Sequence, residues 1–405
     1  MSFQIALSAL QAITTQLDTI SNNIANTGTT GYKSSRTNFA AMYASESPNG
    51  VQAASLTQTL DVSGGLLSTG RNLDVSISGN GYFMVKDSTG VTNYTRTGIF
   101  DVDTSGNLVD HMGRSVQGYQ MTPGSDALGQ LGTVNVPTGQ IPAKASSSVE
   151  FVGNLSADWV KPTDGFNPNN ASSYNSSAVS VVYDSLGQQQ TITQYFVKGA
   201  NNEVTVHYYN GQNPITNTSG AVTHTLKFSS TGQLTNPTSP DLKWTPVNAA
   251  SGLETGADDI TVAVNYTGTT QYAGDTATTT NSADGYASGT MVNVQIGADG
   301  AINVQYSNGM KQRVGMLALA SFRSESGLAP VDGTSWQATA KSGVALIGTP
   351  GTGQLGELAS GQLEQSNVEV ATELVDLMGA QRNYQANTKV ISTEKEIMQS
   401  LMQVM

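Results

Sequence analysis

The sequence contains no cysteine, which removes disulfides, thiolate nucleophiles and cysteine-bearing zinc sites from consideration while leaving the compartment open. Charge is scarce as well: Asp, Glu, Lys and Arg make up 12% of 405 residues, about half the usual globular share. Acidic residues outnumber basic ones 30 to 18, giving a net charge of −12. No basic cluster offsets that excess, so nucleic acid and anionic membrane are poor partners. Histidine is limited to His111, His207 and His224, and no two stand at metal-ligand spacing. Long apolar runs are missing too. The opening residues, MSFQIALSALQAITTQLD, have no Lys or Arg ahead of their apolar positions and alternate those with polar ones, which reads as neither a cleaved signal nor a membrane span. If the protein works outside the cell, it is expected to leave by a route needing no cleaved signal.

What is present is organised by period. From Phe3, apolar residues fall at Ala6, Leu10, Ile13, Leu17, Ile20 and Ile24 in alternating steps of three and four, a heptad seam that predicts a helix over residues 3–25. Its single charge is Asp18; Asn26, Gly28 and Gly31 read as termination and turn. At the other end, Ser366-Asn367-Val368-Glu369 matches a capping box. Beyond it Val370, Leu377, Tyr384, Ile391, Met398 and Met405 recur every seven residues, with Leu374 and Met402 on a companion row interrupted by Gln381, Thr388 and Lys395. Val390, Ile397, Leu401 and Val404 widen this apolar face. The widened face exceeds what one partner stripe covers, so copies of the chain are its expected completion, with packing on the chain's own domains as the alternative. Arg382, Lys389 and Lys395 are expected on helix faces, beside acidic neighbours such as Glu373, Asp376, Glu394 and Glu396 or at helix termini.

Between about residues 32 and 360 the period becomes strand-like, with turns at 87–90, 184–187, 230–232 and 297–300. Residues 178–210, AVSVVYDSLGQQQTITQYFVKGANNEVTVHYYN, read as a three-stranded meander. The Pro- and Asn-rich run after residue 157 and the turn-rich stretch before Met291 suggest that 146–285 is inserted into a second β-rich domain. The expected fold class is mainly β with terminal α-helices, in nested discontinuous domains. These comprise a helical core from 1–30 and 366–405, a linker region from 31–70 and 359–365, an inner β domain from 71–145 and 286–358, and an outer β domain from 146–285.

Catalytic motifs are weak. Asp101 to Asn107 begins like a calcium loop, but Met112 stands where the bidentate Glu belongs, and a hairpin turn is the better reading. Ser and Asp are plentiful without a nucleophile elbow, and the glycine clusters near 69–81 do not open a helix as a phosphate site requires. The adjacent Asp258 and Asp259 tend to face apart on a strand, against a paired-carboxylate glycan enzyme. Neither enzyme activity, metal nor cofactor is expected. A β-rich extracellular adhesin or fibre module remains open on composition, though it gives no reason for paired terminal heptads.

The stretch NNIANTGTTGYK (Asn22 to Lys33) with its preceding helix resembles the N-terminal signature of bacterial flagellar axial proteins, SNVEVATELVDLMGAQRNYQANTKVISTEKEIMQSLM (366–402) their C-terminal signature, and TGRNLDVSISGNGYFMV (69–85) a block shared by rod and hook subunits. Room for an outer domain of about 140 residues places the chain nearest the hook branch, with a distal rod or other axial junction protein as alternative. The resemblance implies a coiled-coil core from both termini carrying two β-rich domains. It also implies a structural role, as a subunit polymerising with many copies of itself into the flexible curved tube that joins rod to filament and transmits motor torque. The location implied is the hook and basal body of the flagellum, outside the cell. Implied partners are the distal rod protein, the hook cap, the hook–filament junction protein and the flagellar type III export apparatus. Assembly positions carried over or read from the heptads are Phe3, Leu10, Ile13, Leu17, Ile20, Asn22, Asn23, Ile24, Ala25, Asn26, Thr30, Gly31, Tyr32 and Lys33 at the front. At the back they are Asn367, Val368, Glu373, Leu374, Leu377, Ala380, Gln381, Arg382, Tyr384, Gln385, Asn387, Ile391 and Met398. Ala9 stands where many members have Gly, and Tyr32 where several have Phe.

Overall fold

Each end of the chain forms one long helix, and nearly everything between them is strand or turn. The computed structural model describes residues 2–44, 47–121, 127–200, 202–236, 239–247, 254 and 256–404; Met405, the last of the heptad residues, lies outside them. Helix α1 spans Ser2–Ala25 and α2 spans Val370–Val404. A mainly β chain with helical termini is therefore observed as expected. The chain divides into two compact units, one made of Met1–Thr138, Asn293–Gln305 and Lys311–Met405, the other of Gly139–Val292 and Tyr306–Met310.

In the first unit, α1 ends where Asn26 N–H donates to Asn22 O at 3.2 Å and the Asn26 side chain caps the same carbonyl at 2.9 Å. The chain then enters a long antiparallel hairpin, β1 (Ser35–Ala44) and β2 (Ser47–Gln58), which packs along α1. This hairpin occupies much of the 31–70 segment expected as linker. Outgoing and returning chain then pair twice: Leu66–Ser68 with Gln362–Glu364, and Val75–Ser78 with Glu357–Ser360. Those pairings bring the two ends of the sequence to one place. Beyond them a large sheet interleaves early and late segments. Tyr82–Lys86 lies between Thr92–Thr95 and Ser115–Met121, Ser335–Gln337 joins the former and Lys311–Leu317 the latter. Tyr82, Tyr94, Phe322 and Trp336 fill one core edge-to-face, with Tyr94 and Phe322 ring centroids 4.7 Å apart.

The second unit holds two sheets around one apolar core. Ser176–Tyr183, Gln189–Lys198 and Glu203–Asn210 form the expected meander, joined by Thr223–Lys227. The other sheet centres on Ile260–Asn265, which pairs parallel to Ser148–Asn154 and antiparallel to Asp241–Trp244. Alternate residues, Ile192, Phe196, Val204 and Val206 from one sheet and Phe151, Val262 and Val264 from the other, meet inside. A buried polar chain crosses this core: Tyr208 and Tyr266 hydroxyls at 2.9 Å, Tyr266 to Gln194 at 2.6 Å, and Gln194 to Ser180 at 2.9 Å. The Pro- and Asn-rich run after 157 is not a bare boundary, because it lays Phe166 over the meander's outer face, stacked on His207 at 3.8 Å.

Two sequence readings are corrected, and the third, the hairpin at Asp103, stands as expected. The capping box is not formed: Ser366 Oγ accepts the Val368 amide, Glu369 Oε2 accepts Thr372 Oγ1, and the first helical bond runs from Glu373 N to Glu369 O. The helix begins at Val370, which puts Ser366 three residues ahead of the capping position at Glu369. Arg382 bonds the Met378 carbonyl at 3.3 Å rather than an acidic neighbour. The turn at Asp103 is a hairpin whose carboxylate accepts the Ser105 and Asn107 amides, so those oxygens serve the backbone.

Candidate functional site

Two different faces of α1 are used. Ile13 and Ile20 are buried with Ala380 of α2, and Leu17, Ile24 and Leu377 pack around them. The helices run antiparallel, with the last turn of α1 meeting the first of α2 where Asn23 Nδ2 donates to Glu373 Oε1 at 2.9 Å. The second face is polar and lies against the hairpin. Ser8 Oγ accepts the Val51 amide at 3.2 Å, Thr19 and Thr37 hydroxyls meet at 2.9 Å, and Asn23 both donates to Ser35 O and accepts Ser35 N. Residues 8, 19 and 23 lie on one stripe of a 3.6-residue helix, so a row that reads as solvated is a buried hydrogen-bonding seam.

Where the chain leaves α1 it is pinned to its own far end. Gly31 N–H donates to Glu364 O at 2.8 Å with φ of +71°, and a Cβ there would lie 2.7 Å from Thr97 Oγ1. Lys33 and Glu364 are each 1% exposed and form an ion pair at 2.7 Å. Lys33 Nζ also donates to Val62 O, Glu364 Oε1 accepts Gly64 N–H, and Arg96 approaches Glu364 Oε2 at 3.5 Å. Burial pushes the Lys33 ammonium below its ordinary range, while the Glu364 carboxylate pulls it back up. Arg96 in turn lies 5.1 Å over the Tyr82 ring, whose hydroxyl donates to Glu325; burial first, then that carboxylate, raises the phenol. Asn367 completes the clasp by accepting Ser34 N–H and donating to Thr59 O and Val62 O. Tyr32 donates to both Asn22 and Asn23, and its hydroxyl is raised chiefly by burial.

The structure thus sorts these sequence-named residues into three groups. Asn22, Asn23, Asn26, Gly31, Tyr32, Lys33 and Asn367 are engaged within the chain, at the clasp. Phe3, Leu374, Tyr384 and Met398 are bare, as are Gln381 and Arg382, while Leu10, Leu377 and Ile391 are half-buried. The companion row of α2 is also corrected. Three residues on from the heptad positions, Glu373 accepts from Asn23 of α1 and Ala380 is buried with Ile13 and Ile20, whereas Leu374 on the expected row is 46% exposed. Small Ala380 lets the helix axes approach where Leu374 would not. Helix α2 has 35 residues against 24 in α1, an excess of about 16 Å at 1.5 Å per residue. Ile397, Met398 and Met402 lie in its final turns, exposed by 54% or more. Sequence reasoning missed Glu364, Arg96, Gln58 and Trp336, the last pair bonded at 2.6 Å between hairpin base and sheet. The one available signal was Lys33, the lone charge between Asp18 and Arg36. Among the described residues no His, Asp and Glu side chains cluster as a metal site, and no helix is long and apolar enough to cross a membrane.

Four family models match in chain order. They are the flagella basal body rod protein over residues 3–33, the flagellar hook protein FlgE/F/G D1 domain over 76–157, the flagellar basal body protein FlaE D2 domain over 154–286, and the flagellar basal body rod FlgEFG protein C-terminal over 359–404. Helical ends that meet over a β-rich body, with those models upon them, define a flagellar axial protein. The flagellar hook protein FlgE of Salmonella typhimurium is 37% identical over 408 residues, covering 99% of each chain, and that of Escherichia coli is 37% identical over 410, again 99% of each. The Treponema pallidum protein of the same name is 32% identical over 455 residues, covering 98% of this chain and 97% of its own. A crystal structure of Helicobacter pylori flagellar hook protein FlgE2 shares the fold at a TM-score of 0.52 and 14% identity, covering 72% of this chain and 98% of that one. The chain belongs to the flagellar hook protein family, whose members are structural subunits of the hook.

Proposed function

We propose that many copies of this chain polymerise through α1 and α2 into the tube that joins rod to filament, with the clasp fixing the direction in which both helices leave the β-rich body. The single observation that carries this reading is the bare apolar side of the helices. Leu374, Val375, Met378, Val390 and Ile397 are each at least 46% exposed in one copy, a run too long and apolar for an isolated surface. Identical copies supply its complement, and few charges lie on α1 to be repeated by symmetry. The nested division into 1–30 with 366–405, 31–70 with 359–365, 71–145 with 286–358, and 146–285 is part of this proposal. In it the hairpin belongs to the linker and stiffens α1. Weakly charged β surfaces then exchange neighbour contacts at little energetic cost as the tube bends. The expected partners are the distal rod protein, the hook cap, the hook–filament junction protein and the type III apparatus that exports the chain without a cleaved signal.

The test is deletion of residues 2–25. Full-length protein should sediment as polymer above a critical concentration, and the deletion should stay soluble with its β circular dichroism retained. A deletion that still polymerises would overturn the proposal.

A further inference from the structure

We infer that the exposed methionines of α2, Met378 on its bare side and Met398 and Met402 in the turns that outrun α1, form an oxidation site that controls assembly. Peroxide-class oxidants convert Met378, Met398 and Met402 of a free copy to sulfoxides and so block its joining to others, whereas copies already joined are shielded. This rests on the assembly reading above.

With no cysteine in the sequence, thioethers are the only sulfur the chain offers an oxidant. Their exposure is uneven: Met378, Met398 and Met402 are 50%, 63% and 73% exposed, while Met84 and Met121 are buried. Met398 and Met402 stand one turn apart in the final turns of α2. In the reaction a thioether lone pair attacks a peroxide oxygen, an S–O bond forms and the O–O bond breaks. The sulfur is oxidised by two electrons, and the peroxide leaves as water once the departing hydroxide takes the transferred proton. The product is a strong acceptor in place of an apolar group. Facing water it leaves the single copy's fold untouched. Between apolar helices, where neighbours such as Leu374 and Ile397 have no side-chain donor, it loses its hydration without replacement. The lesion is reversible by methionine sulfoxide reductases, so blocked subunits can be returned to use. Met112 is an internal control, half exposed and in the turn between Asp110 and Arg114, on neither helix.

The experiment treats full-length protein with hydrogen peroxide, reads each methionine by mass spectrometry and follows polymer by sedimentation. The critical concentration should rise at least about tenfold, and sulfoxide at 398 and 402 should be enriched in the unassembled fraction but Met112 sulfoxide shared evenly. Oxidising preformed polymer should modify Met112 while sparing the α2 sites. A variant with Met378→Leu, Met398→Leu and Met402→Leu, and with Met405→Leu so that the tail keeps no thioether, should show the same critical concentration with and without peroxide, whatever its untreated value. Oxidised wild type that assembles normally, or even partition of α2 sulfoxides between fractions, would overturn the inference. Failure of untreated wild type to assemble would instead refute the polymerisation reading beneath it.

Discussion

Replacing Glu364 by Ala removes the centre of the clasp. Its Oε1 accepts Lys33 Nζ at 2.7 Å and Gly64 N–H at 3.1 Å, and its Oε2 faces Arg96 at 3.5 Å, all with the carboxylate 1% exposed. The substitution leaves two buried cations without a counter-charge and one backbone amide without an acceptor. Breaking a buried pair from one side costs about 3–5 kcal/mol, mostly the desolvation of the partner left behind. For a unit of roughly 250 residues each kcal/mol lowers Tm by about 2–4 °C, so the first unit's transition should fall by about 6–20 °C. Lys33→Met should cost less, because Glu364 keeps Arg96 and the Gly64 amide. In a Lys33→Met, Glu364→Gln double-mutant cycle the coupling should reach at least about 1.5 kcal/mol. Scanning calorimetry of the four proteins measures it. Single losses below about 1 kcal/mol with no coupling would refute the claim that this pair holds the two chain ends together.

Gly31→Ala should destabilise by about 1–3 kcal/mol, since the residue sits at φ +71° with Thr97 in the path of a Cβ; chemical denaturation checks it. Burial, helped by the charge of Asp376 and opposed by the Asn23 amide, raises the Glu373 carboxyl above its ordinary value. A raised acid favours its neutral form in the folded state, so the α1–α2 pairing should strengthen as pH falls through that raised value and gain nothing further below the ordinary one; Glu373→Gln should flatten the profile of hydrogen-exchange protection in α1. Ile20→Ala should cost about 2–4 kcal/mol and reduce helical circular dichroism of a single copy. Leu374→Asp should leave that copy within about 0.5 kcal/mol of wild type yet abolish sedimentable polymer.

The helices were legible because Phe3 to Ile24 and Val370 to Met398 repeat at intervals that only a helix brings to one side. The meander was equally plain from alternation in QQTITQYFVK and EVTVHYYN, with turns at Asp184 and after Lys198. The α2 contacts to α1 made by Glu373 and Ala380 were hidden because one residue is charged and the other small. Hydrophobicity points instead to Leu374, which lies bare. The hairpin seam was hidden for the same reason, since Ser8, Thr19 and Asn23 look solvated until β1 and β2 supply their partners. Lys33 and Glu364 lie 331 positions apart, and no local spacing relates them; the two strand pairings between outgoing and returning chain bring them together.

Helical reconstruction of polymer assembled from full-length protein tests the central claim most directly. The account predicts that α1 and α2 keep the pairing seen in one copy and that Leu374, Val375, Met378, Val390 and Ile397 are buried against neighbouring copies. A polymer joined through its β-rich surfaces alone, with that side of α2 still facing solvent, would contradict it.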